Sequence, residues 1–344
     1  MTFVSATQKS LRKGILSEIR KSLLELGSAT KVELSEKLEI SFPTISKFLA
    51  EMEKEGEIIS GGLDESSGGR RAKRYSYNPE YMLGLAIFIE RTETNYAIFN
   101  CVGEIKDQGK VPIILVEDGL HLLTTCIENL MAAFPKISSI AIGVPGSVDN
   151  GRIFHIPGYE QFQNFDVKGF YENYFSIPVV VENDMNAAVI GYHHHRGIKD
   201  NPSLVYLYSG QNGPGAGFMI NGDVVRGSTY FAGEVSFIPQ YNERNFREAL
   251  ENGTEPKEAP FFQDYQIDPI SRLIVTFTAI INPHTIIFCN DEVEEALVEK
   301  IAIASSTYIP SEHLPELTVS DWKQDYLYGL QSLGLDLMLN ETTK

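Results

Sequence analysis

The chain has 344 residues, of which 43% are hydrophobic and 22% charged, and its formal net charge is −17. This length exceeds one small domain and predicts two or three folding units. No apolar run approaches a membrane span, and no basic stretch leading into an apolar core opens the chain, so we expect a cytoplasmic protein without membrane contact. The three cysteines form neither a metal-spaced pair nor a disulfide framework, which suits a reducing compartment.

Charge is distributed unevenly along the chain. Residues 1–79 contain 13 lysines and arginines against 11 acidic residues, a net charge of +2, whereas the remainder carries −19. A mildly basic head on a strongly acidic body predicts nucleic acid at one end only, because the acidic body would repel DNA.

The head has the pattern of a helix-turn-helix. An apolar stripe over Leu11–Leu26 predicts a first helix, and a capping box at Thr30 starts a short second helix that runs to about Leu38. After a tight turn, Ser41 caps a third helix, whose leading turn would enter the major groove. The side chains expected to face DNA there are Thr44, Ser46 and Lys47.

Two alternating segments, Glu57–Ser60 and Arg74–Tyr77, predict a β-hairpin wing with a basic, glycine-bearing loop. Arginines on such a loop can enter a narrow minor groove or clamp phosphates. The candidate wing contacts are Arg70, Arg71 and Lys73. Heads of this shape can also be plain interaction modules with solvated lysines. The agreement of turn, caps and basic wing favours double-stranded DNA.

From residue 80 onward, strands and helices alternate in an order that predicts a two-lobed α/β domain. The first half is expected to contain the strands Leu83–Ile89, Tyr96–Cys101 and Lys110–Leu115, a helix over about Gly119–Phe134 and the strand Ser139–Val144. A second half begins with the strand Ser203–Tyr208 and a hairpin around Asn221-Gly222. We expect a C-terminal helix over Tyr326–Leu339 to pack back on the first half.

The segment Ile177–Ile190 carries the most informative polar residues. A β-branched run stops at Glu182, and a helix-compatible stretch begins just after Asp184, which is where α/β folds hold ligands. The amide of Asn183 and the carboxylate of Asp184 suit sugar hydroxyls, and in an enzyme Asp184 could accept a proton from one. Asp184 could equally be the cap of the helix that follows.

Four stretches, together with the winged head, resemble the ROK family of repressors, open reading frames and kinases. They are Ala141–Val148, Val181–Ala187, Ser209–Gly217 and Ala232–Val235. In that family the Asn and Asp of an E-N-D motif and the Glu of an A-G-E motif hold the sugar. The resemblance assigns these roles to Asn183, Asp184 and Glu234, and in family kinases the Asp is also the catalytic base.

The resemblance implies an α/β fold class with two parts. A winged helix-turn-helix would occupy residues 1–79, and an actin-like, sugar-kinase-like domain would occupy residues 80–344. One lobe would span about residues 80–195 together with the C-terminal helix, and the other about residues 196–325. The ligand of this fold lies in the cleft between the lobes.

The chain departs from family kinases at the turn that approaches ATP phosphates. Their D-x-G-G-T is replaced by Ile89–Glu93, which lacks glycine and adds the charges of Glu90 and Glu93. A later Gly-Gly is replaced by Cys289-Asn290-Asp291. Phosphoryl transfer depends on positioning and charge neutralisation, so we expect no ATP cofactor and no kinase activity.

The zinc ligands of the family are also missing. Phe237 stands close behind Glu234, where the family has a His, and no cysteine occurs between Cys126 and Cys289. The run His193-His194-His195 points in different directions around a helix, so a solvated helix end is favoured over a metal site. We therefore expect no metal.

The sequence thus predicts a transcriptional regulator of carbohydrate metabolism that acts as a repressor. A homodimer would read a palindromic operator, and the kinase-like body would sense a sugar or sugar phosphate without catalysis. Two alternatives stay open. One is an active sugar kinase that has kept a DNA-binding head, and the other is a ligand-free regulator whose body serves as a dimerisation scaffold.

Overall fold

The computed structural model describes residues 2–63, 72–156, 162–198, 200–210, 213–251 and 262–341. Among these residues, no helix is both long enough and apolar enough to cross a membrane.

The head consists of three helices and a small antiparallel sheet in which β3 lies between β1 and β2. Its elements are α1 (Thr2–Leu26), β1 (Ala29–Thr30), α2 (Lys31–Leu38), α3 (Phe42–Glu55), β2 (Ile58–Leu63) and β3 (Lys73–Tyr77). The capping box is present, because Thr30 Oγ1 accepts from the Glu33 amide at 3.2 Å and Glu33 Oε2 accepts from the Thr30 amide at 2.7 Å. The predicted helix-turn-helix and hairpin are confirmed, although α1 begins at Thr2 rather than at Leu11.

The first lobe is built on a five-stranded mixed sheet of order β11-β7-β4-β5-β6. Its elements are β4 (Leu83–Ile89), β5 (Thr94–Asn100), β6 (Ile105–Val111), α4 (Gly119–Ala133), β7 (Ile137–Val144), β8 (Ser147–Asp149), β9 (Arg152–His155), β10 (Phe165–Asp166), α5 (Val167–Phe175), β11 (Val179–Asn183) and α6 (Asp184–His195). The expected strand Lys110–Leu115 is wrong, since the third strand is β6. This is an edge strand with mostly exposed side chains, so its polar sequence gives no apolar alternation.

The second lobe repeats the plan with a sheet of order β14-β13-β12-β17-β18. Its elements are β12 (Leu204–Tyr208), β13 (Gly215–Ile220), β14 (Asp223–Val224), β15 (Pro239–Gln240), β16 (Arg244–Asn245), α7 (Phe246–Glu251), α8 (Ile267–Ile280), β17 (Thr285–Cys289), α9 (Glu295–Ser305) and β18 (Glu316–Ser320). Short 3₁₀ turns lie at Val235–Phe237, Asp264–Gln266 and Ser311–His313. The chain then returns to the first lobe through α10 (Trp322–Glu341).

Helix α10 packs on α6 and on the first-lobe sheet, as the sequence predicted for the C-terminal helix. The two helices approach backbone to backbone at a pair of glycines. A Cβ added to Gly329 would lie 1.8 Å from the carbonyl oxygen of Ala187, and one added to Gly191 would lie 1.8 Å from that of Asp325. Side chains at these two positions are therefore excluded by contact with backbone.

The far end of α10 contacts the head. Ser17 Oγ lies 2.6 Å from Asn340 Oδ1, and Arg20 Nη1 donates to the Leu339 carbonyl at 3.3 Å. Arg20 is itself buried and forms a 2.5 Å ion pair with the buried Glu57 at the base of the wing. One helix thus touches both the first-lobe core and the first helix of the head.

Candidate functional site

The strand end at β11 places two polar side chains at the mouth of the crevice. Asn183 is the N-cap of α6, because its Oδ1 accepts from the amides of Met185 and Asn186, both at 3.0 Å. Its Nδ2 donates to Asp184 Oδ1 at 2.9 Å. The alternative in which Asp184 is the cap is therefore wrong, since Asn183 has that position and Asp184 is the first residue of the helix.

The environment of Asp184 favours its protonated form. Burial raises the pKa of this carboxyl to about 7, and the neighbouring carboxylates of Glu234 and Glu90 act in the same direction. The hydrogen bond from the Met185 amide works against this shift. At neutral pH the group can thus both accept and donate hydrogen bonds, which suits a sugar hydroxyl.

The structure brings the three candidate sugar residues together in one cleft. Asn183, Asp184 and Glu234 all line a cavity of about 650 Å³ between the lobes. Glu234 comes from the second lobe, and its carboxylate accepts a hydrogen bond from Ser147 Oγ of the first lobe at 3.4 Å. Glu182 directly precedes Asn183 in the chain, and its carboxylate forms an ion pair with Arg226.

Aromatic side chains form a further part of the cleft that sequence reasoning missed. They are Phe154, Tyr208, Tyr230, Phe231 and Phe237. The ring of Phe154 stacks on that of Tyr230 with 5.8 Å between centroids, and the rings of Phe231 and Phe237 lie 5.4 Å apart. The available signal was that Phe231 and Phe237 each lie three residues from Glu234, on opposite sides of it in the sequence.

The turn that replaces the kinase phosphate loop is held by charge pairs. Glu93 bonds to Lys110 and Lys323 at 2.5 and 2.6 Å, and these bonds lower the pKa of its carboxyl to about 2. Burial raises the pKa of the nearby Glu90. No residue from Ile89 to Glu93 has a positive φ, so the backbone makes no glycine-like turn toward a ligand.

A second carboxylate occupies backbone donors on the other side of the cleft. Glu292, just after the Cys289-Asn290-Asp291 stretch, accepts from the amide of Ser209 at 2.8 Å and from that of Gly210 at 2.9 Å. Successive backbone amides of this kind are a common way to bind phosphate. Here the chain supplies its own anion, a contact that the sequence did not predict.

The histidine run closes α6, and His194 and His195 are exposed there, as expected for a solvated helix end, although both also contact α10. The ring of His195 stacks on Tyr328 of α10 with 3.7 Å between centroids, and His194 Nδ1 contacts Ser332 Oγ. Both ring nitrogens of His193 are enclosed and have no hydrogen-bond partner among the described residues. Within the described part of the chain, no group of three or more His, Cys, Asp or Glu residues could hold a metal ion.

The candidate DNA-binding residues differ in their surroundings. Lys47 is exposed, and Thr44 lies in the first turn of α3 with its Oγ1 2.8 Å from Ser41 Oγ. The hydroxyl of Ser46 is enclosed and lacks a hydrogen-bond partner among the described residues, so the expectation that it faces outward is wrong. Lys73 pairs with Glu53 at 2.6 Å. Arg70 and Arg71 lie outside the described residues.

The two-lobed body with its central cleft has the actin-like sugar-kinase fold, so the fold class expected from the sequence is confirmed. Residues 85–248 match the model of the ROK family, and the chain therefore carries a ROK family domain. A solved ROK family transcriptional regulator, a homologue of the E. coli MLC protein, has the same fold. It superposes with a TM-score of 0.72 at 18% identity, covering 96% of this chain and 98% of its own.

Relatives by sequence include both regulators and kinases. A putative xylose repressor of Caldicellulosiruptor sp. (strain Rt8B.4) is 31% identical over 229 residues, covering 64% of this chain and 57% of the repressor. A glucokinase of Halalkalibacterium halodurans is 29% identical over 157 residues, covering 43% of this chain and 47% of the kinase. The chain thus spans less than two thirds of the length of these curated relatives.

Proposed function

We propose that this chain is a transcriptional repressor of carbohydrate metabolism that responds to a sugar. The observation that carries the proposal is a winged helix-turn-helix joined by one helix to a cleft lined by three candidate sugar-binding side chains. Similarity to a putative xylose repressor supports it. We assign residues 1–79 to DNA and residues 80–344 to sugar sensing.

In the head, α3 enters the major groove of the DNA, and the wing contacts the DNA backbone or the minor groove. Thr44 and Lys47 supply contacts from α3, and Arg70, Arg71 and Lys73 supply them from the wing. Ser46 is left out of this set because its hydroxyl is enclosed. A symmetric dimer would place two such heads on the half-sites of a palindromic operator.

In the body, Asn183, Asp184 and Glu234 hold hydroxyl groups of the sugar. The raised pKa of Asp184 lets its carboxyl act as donor as well as acceptor near neutral pH. Glu234 reaches the ligand from the opposite lobe, so a bound sugar would draw the lobes together.

Helix α10 carries the response from cleft to head. Burial raises the pKa of the phenol of its residue Tyr326, and the carboxylates of Asp184 and Glu90 act in the same direction. Its other end holds α1 through Leu339 and Asn340. The sugar acts only if it binds one arrangement of this helix better than the other.

The proposal is tested with the full chain and a duplex selected from a random pool by its affinity for the protein. Sugars and sugar phosphates are then screened for release of that duplex. We expect Asp184→Ala to abolish release while duplex affinity stays unchanged. Release from the variant at the wild-type sugar concentration would contradict this use of the cleft.

We also propose that the body does not transfer phosphate. The turn from Ile89 to Glu93 lacks a close backbone approach, and the amides of Ser209 and Gly210 already bind Glu292. An ADP-release assay with the same sugars is expected to give no turnover above the sugar-free rate. Sustained ADP production would favour an active kinase that has kept a DNA-binding head.

A further inference from the structure

One side of the cleft is aromatic and open to solvent. Phe231 and Phe237 are 54% and 62% exposed, and their rings face the cavity as a pair inclined at 43°. Clustered exposed phenylalanines cost hydration free energy, so they usually mark a surface that a ligand or partner covers. These two lie inside a concave site, where a small ligand reaches them.

The aromatic pair adjoins the polar trio rather than replacing it. Both rings lie within three residues of Glu234, one on each side of the A-G-E motif. The first lobe adds Phe154, which stacks on Tyr230 across the cleft. The cavity lining therefore combines the carboxylates of Asp184 and Glu234 with an aromatic part at Phe231 and Phe237, here called the aromatic end.

The size of the cavity exceeds the needs of one sugar ring. Its volume of about 650 Å³ falls within the range that encloses drug-sized ligands. A monosaccharide held by Asn183, Asp184 and Glu234 would fill only part of this volume. A longer ligand could fill more of it and cover the aromatic end.

The chemistry of the aromatic end fits a second sugar ring. A pyranose has a face of C–H groups, which carry partial positive charge, and the faces of phenylalanine rings are negative. Stacking on Phe231 and Phe237 would remove apolar surface of both partners from water. Hydroxyls at the ring edge can reach Arg247 and Asn245, which line the same cavity.

We propose that Phe231 and Phe237 form a second saccharide subsite, so the ligand of this cleft is a disaccharide or longer oligosaccharide. This inference rests on the proposed sugar-sensing function. It adds that two neighbouring rings of one ligand are bound, the first by the polar trio and the second by the aromatic pair.

The test is calorimetric titration of the full chain with aldopentoses, aldohexoses and N-acetylhexosamines, each beside its α- and β-linked disaccharides. At least one disaccharide should bind about ten-fold more tightly than its monosaccharide, a difference of about 1.4 kcal/mol. In Phe231→Ala and Phe237→Ala that preference should fall to within about two-fold. The control is Ile280→Ala, an exposed apolar residue of α8 outside the cavity, which should keep the full preference.

The possible outcomes distinguish failure of the aromatic subsite from failure of the proposed sugar-sensing function. Equal affinity for monosaccharide and disaccharide, or a preference that survives in both phenylalanine variants, overturns the aromatic subsite. If Asp184→Asn still weakens monosaccharide binding in that case, the sugar-sensing function stands. If no saccharide of either size binds, both proposals are overturned. Both phenylalanines are exposed, so Phe231→Ala and Phe237→Ala should unfold at the same urea concentration as the wild type. This measurement checks that both variants are folded.

Discussion

The carboxylate of Glu292 accepts a hydrogen bond from the backbone amide of Gly210 at 2.9 Å, and it also binds the neighbouring Ser209 amide. Gly210 has a φ of +42°, so the loop after β12 turns in a conformation that suits glycine. A side chain of the chain itself thus satisfies the donors that an external anion would need. Removing that side chain should expose them.

We expect Glu292→Ala to bind pyrophosphate at least about ten-fold more tightly than the wild type, because two amides lose their internal acceptor. The variant should also unfold more readily, by about 1–3 kcal/mol for the lost charged hydrogen bonds. Calorimetric titration and urea unfolding measure the two effects. Glu295→Ala, an exposed acid in the first turn of α9, is the matched control. Unchanged pyrophosphate affinity would show that the Glu292 carboxylate does not keep external anions from the Ser209 and Gly210 amides.

Asp184→Asn should change how stability depends on pH. The folded-state pKa of Asp184, about 7, lies above its unfolded value, so the folded protein binds an extra proton between about pH 4 and 7. Stability from this group is therefore present at low pH and is lost as pH rises through 7. Relative to wild type, the variant should gain on the order of 2 kcal/mol between pH 5 and pH 8, since each pKa unit is about 1.4 kcal/mol. Urea unfolding at both pH values measures the difference, and parallel curves would contradict the raised pKa.

Lys47→Ala should weaken binding to the selected duplex and reduce the salt slope of affinity by about one, because one phosphate contact is lost. Lys73→Ala should have a smaller effect, since its ammonium already pairs with Glu53. Lys54→Ala is the control, because Lys54 is exposed in the last turn of α3, away from its leading end. Fluorescence anisotropy at several salt concentrations distinguishes the three variants. A loss for Lys54→Ala equal to that for Lys47→Ala would argue against the proposed docking of α3.

Gly329→Ala should separate α10 from α6, because the added methyl group would meet the backbone of Ala187. The expected loss is about 1–3 kcal/mol or more, as for other overpacked interiors. Gly14→Ala in α1 has open space around the new methyl group, so it should be neutral or slightly stabilising. Thermal unfolding of both variants measures the contrast. Equal melting temperatures would mean that the two helices can shift apart without cost.

Local signals explain why the head was predicted well. Thr30 and Ser41 bond to amides three residues away, so their capping is readable from sequence. The start of α6 was harder, because Asn183 and Asp184 are adjacent residues that can both cap a helix. Strand β6 was missed because an exposed edge has no apolar period.

Long-range contacts explain most of what the sequence did not reveal. Glu292 and Gly210 are 82 positions apart, and the pairing of Phe154 with Tyr230 joins two lobes. No spacing rule connects such residues before the fold is known. Asn183 and Asp184 were singled out by their place at a strand end, Glu234 was identified only through a family resemblance, and the fold places all three in one cleft.

The reciprocal glycine contact between α6 and α10 has a genetic consequence. In the proposed repressor, a substitution there would lie outside both the DNA-binding and the sugar-binding site, yet it would alter the coupling between the two sites. Selections for alleles that no longer respond to inducer should therefore return changes at Gly191, Gly329 and the Arg20 contact. Variants of this kind that still fold are expected to bind both proposed ligands but to lose the coupling between the two sites.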